Sequence, residues 1–345
     1  MIDLELPLVG DMAVFIGAAL AIGVAGSRLA ECADRLADRT GMGEALTGTL
    51  FLGLTTALPG MTASVLAAME GYAGLAMSNA IGGIAFQTTV LAVADIAYHE
   101  ANLEHAAASA ENMMQTIMLI LLLTVVLGGL SGPEVTIGHV HPATIVLICA
   151  AGMAFRLVYE VRERPMWKPE RTSETVEDVP APGSHQEKLL RLSVRFAGTA
   201  AMTVAAGALI ADAAGEIVDE THMPEVVVGG LFMAAATSLP ELVTCLAAVR
   251  RGALTLAVSD IVGGNFFDVL FVAAADIAFL KGSLYHGTGL GRNDVFMVCL
   301  TLLLNVVLLS GLIYRQKHGP GNIGFESVLM LLLYVVGSLI IGLAM

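Results

Sequence analysis

Charge is scarce in this chain of 345 residues: only 14% are Asp, Glu, Lys or Arg, while 56% are hydrophobic and the mean hydropathy is +0.79. A soluble domain of this size has no use for so much apolar surface, which excludes the water-soluble class and leaves a polytopic membrane protein. Basic residues are scarcer than acids, 17 against 31. With no basic patch, phosphate-cradling loop or ATPase motif, the sequence excludes a nucleic-acid partner and an ATP-driven cycle. The net charge of −14 would attract a basic partner, but the acids fall largely in loops and segment ends and read as solvated surface. The four cysteines, Cys32, Cys149, Cys245 and Cys299, lack metal-ligand spacing and read as small packing residues. The first apolar run is flanked by Asp3, Glu5 and Asp11 without a basic n-region, which argues against a cleaved signal peptide.

What is present is a series of apolar runs of about 20 residues, the length that crosses a hydrocarbon core of about 30 Å. Ten are expected, centred near Ala19, Gly53, Val90, Leu121, Leu147, Val204, Phe232, Val269, Leu304 and Leu333. With the N-terminus outside, fifteen Lys and Arg fall on one face and only Lys281 and Arg292 on the other. The positive-inside rule then points both termini outward. The polar, Pro-rich stretch 162–188 reads as a cytoplasmic linker between halves 1–161 and 189–345.

The halves repeat. Shifted by 181 residues, the chain aligns with itself from about Gly26 to Tyr98, with about a third of pairs identical beyond Leu52. "TALPG" (Thr56 to Gly60) lies over "TSLPE" (Thr237 to Glu241), and "LAMSNAIGGIAF" (Leu75 to Phe86) over "LAVSDIVGGNFF" (Leu256 to Phe267). Five spans per half is an odd number, so the second half enters from the opposite side: the expected fold is all-α, ten transmembrane helices in two inverted five-helix repeats. Arg35 and Arg39 align with Glu216 and Glu220, and Glu70 with Arg251, as opposite faces require, though Lys281 does not fit that pattern.

Each copy carries helix breakers at matching depth: Pro59 and Pro240, followed in the next span by Gly82, Gly83 and Gly263, Gly264. Proline leaves the carbonyls of Thr55 and Ala236 without a helical donor. Broken helices at corresponding positions of two halves point to an ion site. Glu241 and Asp268 lie in the middle of successive spans with no Arg or Lys nearby. A carboxylate there costs about 2.5–3.5 kcal/mol on insertion scales, which marks both as candidate metal or proton ligands. Thr237 and Ser238 add neutral oxygens, and an oxygen-only set suits Ca²⁺, Na⁺ or H⁺.

"TSLPE" followed by "GGNFFD" resembles the alpha-repeat motifs of the sodium/calcium exchanger family, within the cation/calcium antiporter superfamily. The resemblance covers both halves. It implies a ten-helix exchanger without a cofactor, whose midplane site lies between the second and third helices of each half and is opened alternately as peripheral helices slide. By position it implies Thr237, Ser238, Glu241, Asp268, Thr56 and Gln87 as ligands. Ala57 and Gly60 depart from it by replacing a serine and a glutamate, and Gly83 and Gly264 replace serines. Asp260 stands where Asn is usual, either as a third acid or as a hydrogen-bonded structural residue; its counterpart Asn79 keeps the usual type.

Asp95 and Asp276 are aligned near span ends, candidates for a relay or for capping, and Glu44 and Glu225 read as helix N-terminal acids. "YHEANLEH" (Tyr98 to His105) does not have the spacing of a zinc-protease helix, and "GHVHP" around His139 and His141 reads as an ordinary loop. The expected partners are inorganic cations and the lipid bilayer, in a bacterial-type inner membrane. Three functions fit: exchange of Ca²⁺ or another cation for Na⁺ or H⁺, Na⁺/H⁺-type exchange without Ca²⁺ transport, or a non-transporting degenerate scaffold. On the sequence alone, Gly60→Glu is expected to strengthen divalent binding and Glu241→Gln to abolish exchange in a vesicle flux assay.

Overall fold

The structure, a computed structural model, describes residues 8–40, 53–98, 102–170, 189–250, 252–317, 319 and 323–343. Apart from one isolated bridge between Ile137 and Val140, its regular structure is helical. The helices are α1 (Leu8–Thr40), α2 (Leu58–Glu70), α3 (Ala73–Ala97), the short α4 (Leu103–Ala107), α5 (Ala110–Ser131), α6 (Pro142–Glu163) and α7 (Leu189–Thr221). There follow α8 (Glu225–Thr237, π-helical over Val228–Met233), α9 (Leu239–Arg250), α10 (Leu254–Ala278), α11 (Arg292–Tyr314) and α12 (Phe325–Leu343). Eight helices among the described residues are long and apolar enough to cross a membrane, and the bent pair α8–α9 makes a ninth. Nine of the ten expected centres fall in these spans. The tenth, near Gly53, adjoins residues 41–52, which with Glu44, His99, Arg251 and most of the linker (171–188) lie outside the described residues.

Burial is uneven among the spans. In α3 and α10, 78% and 72% of the span is buried, against 22% in α1 and 28% in α7. The inner pair is apolar all round, as a helix surrounded by others must be. The long α1 and α7 pack on each other. Val9, Ile16, Leu20 and Val24 of α1 are exposed, as are Leu332, Val335 and Leu339 of α12. Such apolar exposure is stable only against hydrocarbon, and the protein is an integral membrane protein.

The 181-residue repeat recurs bond for bond. Gly71 and its counterpart Gly252 both adopt left-handed backbone, φ 105° and 77°, and end α2 and α9. The next N–H reaches back five residues in both, Tyr72 to the Ala67 carbonyl at 2.9 Å and Ala253 to the Ala248 carbonyl at 3.0 Å. This closure satisfies the last carbonyls of each helix and turns the chain directly into α3 and α10. Further on, the Asp95 carboxylate accepts from Leu103 N at 2.7 Å, and Asp276 accepts from Leu284 N at 2.8 Å.

The glycine pairs do not break their helices. Both α3 and α10 run without interruption for 25 residues through Gly82–Gly83 and Gly263–Gly264. The expectation of loosened spans is corrected: at Gly82 the missing side chain allows close helix approach instead. A Cβ there would lie 2.1 Å from the Gly230 carbonyl oxygen and 2.6 Å from Gly230 Cα. Lys281, out of place by charge, donates to the Glu70 carbonyl at 3.4 Å and sits at the negative end of α2.

Because the obstacle at Gly82 is backbone, Gly82→Ala should lower the melting temperature in detergent, at a cost of about 1–3 kcal/mol or more. Gly152→Ala, with nothing within 4 Å of its added carbon, should melt at or slightly above the wild-type temperature.

Candidate cation site

Proline fixes where the site begins. Pro240 falls in the first turn of α9, where a missing N–H costs nothing, and the preceding helix ends at Thr237. Between them Ser238 leaves helical geometry (φ −93°, ψ 8°), and α8 and α9 meet at a bend of 46°. The first copy does the same: residues 53–56 are helical, Ala57 is a turn, and α2 starts with Pro59 in its first turn. Both prolines therefore act as helix interruptions. Thr56 and Thr237 close the preceding segments, while Gly60 and Glu241 occupy the first turns of the following ones.

These breaks face α3 and α10 around a small internal chamber. It is lined by Thr56, Ala57, Gly60, Asn79, Gly83, Gln87, Thr237, Ser238, Glu241, Asp268 and Phe271. The polar lining side chains are all buried, Glu241 and Asp268 at 3% exposure each. Asp268 and Gln87 are repeat counterparts that touch: Gln87 Nε2 donates to Asp268 Oδ2 at 2.7 Å and to Ser238 Oγ at 3.1 Å. Thr237 Oγ1 donates to Asn79 Oδ1 at 3.3 Å, and Asn79 Nδ2 donates to Ser64 Oγ at 2.8 Å and the Gly60 carbonyl at 3.2 Å. Thr56 Oγ1 donates to the Gly53 carbonyl at 3.1 Å.

Two acceptors are left over. Glu241 Oε2 and Gln87 Oε1 are buried without a hydrogen-bond partner among the described residues. An unpaired carboxylate oxygen in such surroundings costs several kcal/mol unless a proton or a cation balances it. The position of Glu241 in the first turn of α9 relieves part of that cost through the helix dipole. Among the described residues the chamber thus presents two carboxylates, three hydroxyls and two amide oxygens, and no basic side chain in its lining. That donor set can hold a hard cation or exchange it for protons.

Thr56, Gln87, Thr237, Ser238, Glu241 and Asp268 come together here, as do Gly83 and, by its approach to Gln87 Oε1 (3.4 Å from an added Cβ), Gly264. Asp260 is not among the lining residues; its Oδ2 accepts from Thr244 Oγ1 at 2.8 Å. Asp95 and Asp276 are likewise elsewhere, held by backbone donors. Asp95 Oδ2 accepts from Gly324 N at 3.1 Å, and Asp276 Oδ2 from His141 N at 2.9 Å and Thr144 Oγ1 at 2.6 Å. Their oxygens accept from these neighbouring groups. His141 Nδ1 accepts from Ala143 N at the start of α6, an ordinary structural contact.

Two lining residues escaped the sequence reading as site members. The sequence marks Asn79 only by its type and Phe271 not at all. The available signal for Phe271 was its place one helical turn after Asp268. Its ring bears on Gly60: a Cβ on that glycine would lie 2.8 Å from Phe271 Cε2. The simple expectation for Gly60→Glu therefore meets a steric obstacle that the sequence did not reveal.

Comparison with known proteins places this geometry. The inner membrane protein YrbG of Escherichia coli is 23% identical over 310 residues, 90% of each chain. The sodium/potassium/calcium exchanger Nckx30C of Drosophila melanogaster is 34% identical over 125 residues, which span 35% of this chain but only 14% of that relative. The crystal structure of the H⁺/Ca²⁺ exchanger CAX superposes with a TM-score of 0.68 at 14% identity, covering 98% of this chain and 86% of that one, a likeness of fold. Residues 11–167 and 192–342 match the family described as sodium/calcium exchanger protein, and the chain belongs to that family.

Proposed function

We propose that this protein is a secondary active antiporter that exchanges Ca²⁺ or another cation for Na⁺ or H⁺ by alternating access, with Glu241 and Asp268 as the charged ligands. The observation that carries the reading is the buried chamber in which both carboxylates meet neutral oxygens while Glu241 Oε2 and Gln87 Oε1 remain unpartnered. Gln87, Ser238, Thr237 and Thr56 complete the ligand set. A cation entering the chamber displaces protons from the same oxygens or yields to them, which is the competition that antiport requires.

The proposed frame is two inverted five-helix units, residues 1–161 and 189–345, joined by a cytoplasmic linker at 162–188, with both termini outside. The peripheral helices support it by where they touch the breaks. Gly26 of α1 lies against Pro240, with an added Cβ 2.4 Å from the ring, and its counterpart Gly207 of α7 lies against Pro59, 2.6 Å from the carbonyl oxygen. Each long outer helix thus bears on the interrupted helix of the other half. A shift of α1 and α7 along the inner bundle would open one side of the chamber and close the other.

One observation favours a narrower reading. Among the described residues two carboxylates line the chamber, so a single divalent ion, or one Na⁺ with one proton, already balances it. This suits exchange of Na⁺ for H⁺ as well as single-ion Ca²⁺ exchange.

Everted vesicles loaded with a pH dye and assayed with Ca²⁺ and Na⁺ separate these cases. The antiporter reading expects cation-driven proton or Na⁺ movement that falls by more than about tenfold in Glu241→Gln and Asp268→Asn, with Asp260→Asn retaining most of it. Wild-type flux in Glu241→Gln would defeat the assigned ligands, and no flux of any cation in wild-type vesicles would leave the degenerate scaffold.

A further inference from the structure

We infer that Phe271 is a specificity-determining residue: its ring fills the place where the first-copy counterpart of Glu241 would enter the chamber, and so limits the site to two carboxylates. The inference rests on the cation-site reading above and goes beyond it by naming what sets the charge and ligand number of the chamber.

The reference is the chain's own second copy. Glu241 stands in the first turn of α9 and reaches the chamber; Gly60 stands at the equivalent position of α2 and has no side chain. The space beyond Gly60 is not open. Phe271 Cε2, Cζ and Cδ2 lie 2.8, 3.4 and 3.7 Å from the point where its Cβ would be, so the ring edge covers the backbone there. Phe271 is itself 3% exposed and belongs to the main hydrophobic cluster, which leaves the ring little freedom to swing aside. Its counterpart in the first copy is Val90, smaller by most of an aromatic ring. Each pair is drawn from both halves: Gly60 of the first stands with Phe271 of the second, and the repeat-equivalent positions are Glu241 of the second and Val90 of the first, so the large ring accompanies the position that lacks a carboxylate.

Two consequences follow for the ion. A divalent cation gains twice what a monovalent one gains from each carboxylate, so removing one lowers the divalent advantage. The ring also lines one wall of the chamber without offering an oxygen, and Ca²⁺ seeks 6–8 of them. Phe271 thus weights the chamber toward Na⁺ and H⁺ and against ions that need a full oxygen shell.

The test compares wild type, Phe271→Val, Gly60→Glu and the double variant Gly60→Glu/Phe271→Val, each purified in detergent. The readouts are melting temperature and the Ca²⁺ or Na⁺ concentration that gives half-maximal thermal stabilisation. Gly60→Glu alone should melt below wild type, and the double variant should recover at least half of that loss while responding to Ca²⁺ at about tenfold lower concentration than wild type. Phe271→Val alone, which keeps the fold question separate, should shift the Ca²⁺-to-Na⁺ preference toward Ca²⁺ by about threefold. The assignment to Phe271 is overturned if Gly60→Glu melts like wild type, if the double variant binds Ca²⁺ no more tightly, or if Phe271→Val leaves the preference unchanged. If Ca²⁺ and Na⁺ stabilise none of the four proteins, the cation-site reading and this inference fall together. Ion binding with unaltered selectivity removes the role of Phe271 alone.

Discussion

Two carboxylates buried in the apolar interior of a membrane protein are the constraint to which the rest of the architecture answers. Each is costly to desolvate, and here they share one small chamber with no basic side chain in its lining among the described residues. The surrounding structure mitigates the cost without removing it. Gln87 donates to Asp268, and the first turn of α9 lends its positive end to Glu241. What remains is a pair of unpartnered acceptors, Glu241 Oε2 and Gln87 Oε1. A site fully satisfied by protein donors would have no affinity left for an ion, and a site with none would not survive burial.

The scaffold that holds this chamber is built twice. The left-handed glycines at 71 and 252, the five-residue closures behind them and the loop-binding aspartates at 95 and 276 recur at the same offset. The pairing also crosses between the halves: Gly26 meets Pro240, Gly207 meets Pro59, and Gln87 bonds its own counterpart Asp268. Such reciprocity is what a local two-fold relation between similar units produces. The chemistry departs from it, with one glutamate instead of two, an amide opposite a carboxylate, and a phenylalanine opposite a valine. Duplication supplies the helix interruptions cheaply, while asymmetry decides the charge.

Much of this was legible in the residues. The prolines at 59 and 240 announced the interruptions because a residue without an N–H has few places in a helix. The acids at 241 and 268 stood out because hydrocarbon tolerates so few of them. The glycines at 82, 83, 263 and 264 misled. Glycine permits both a break and a close approach, and only the presence of the Gly230 backbone beside Gly82 decides between them. Asp260 and Asp268 lie eight residues apart on one helix, yet a different helix neighbour claims the first through Thr244. The N–H groups that Asp95 and Asp276 accept from have no signature in the local sequence.

The sequence by itself determined the membrane class, the repeat and the chemical identity of the candidate ligands, because hydrophobic length, self-similarity and the cost of a buried charge are properties of residues in order. Tertiary structure alone decided which acids share a chamber, which atoms in it are left without partners, and that the space opposite Glu241 holds an aromatic ring. Those are facts of packing between α2, α3, α9 and α10, where distance across helices rather than position along the chain sets what a side chain meets.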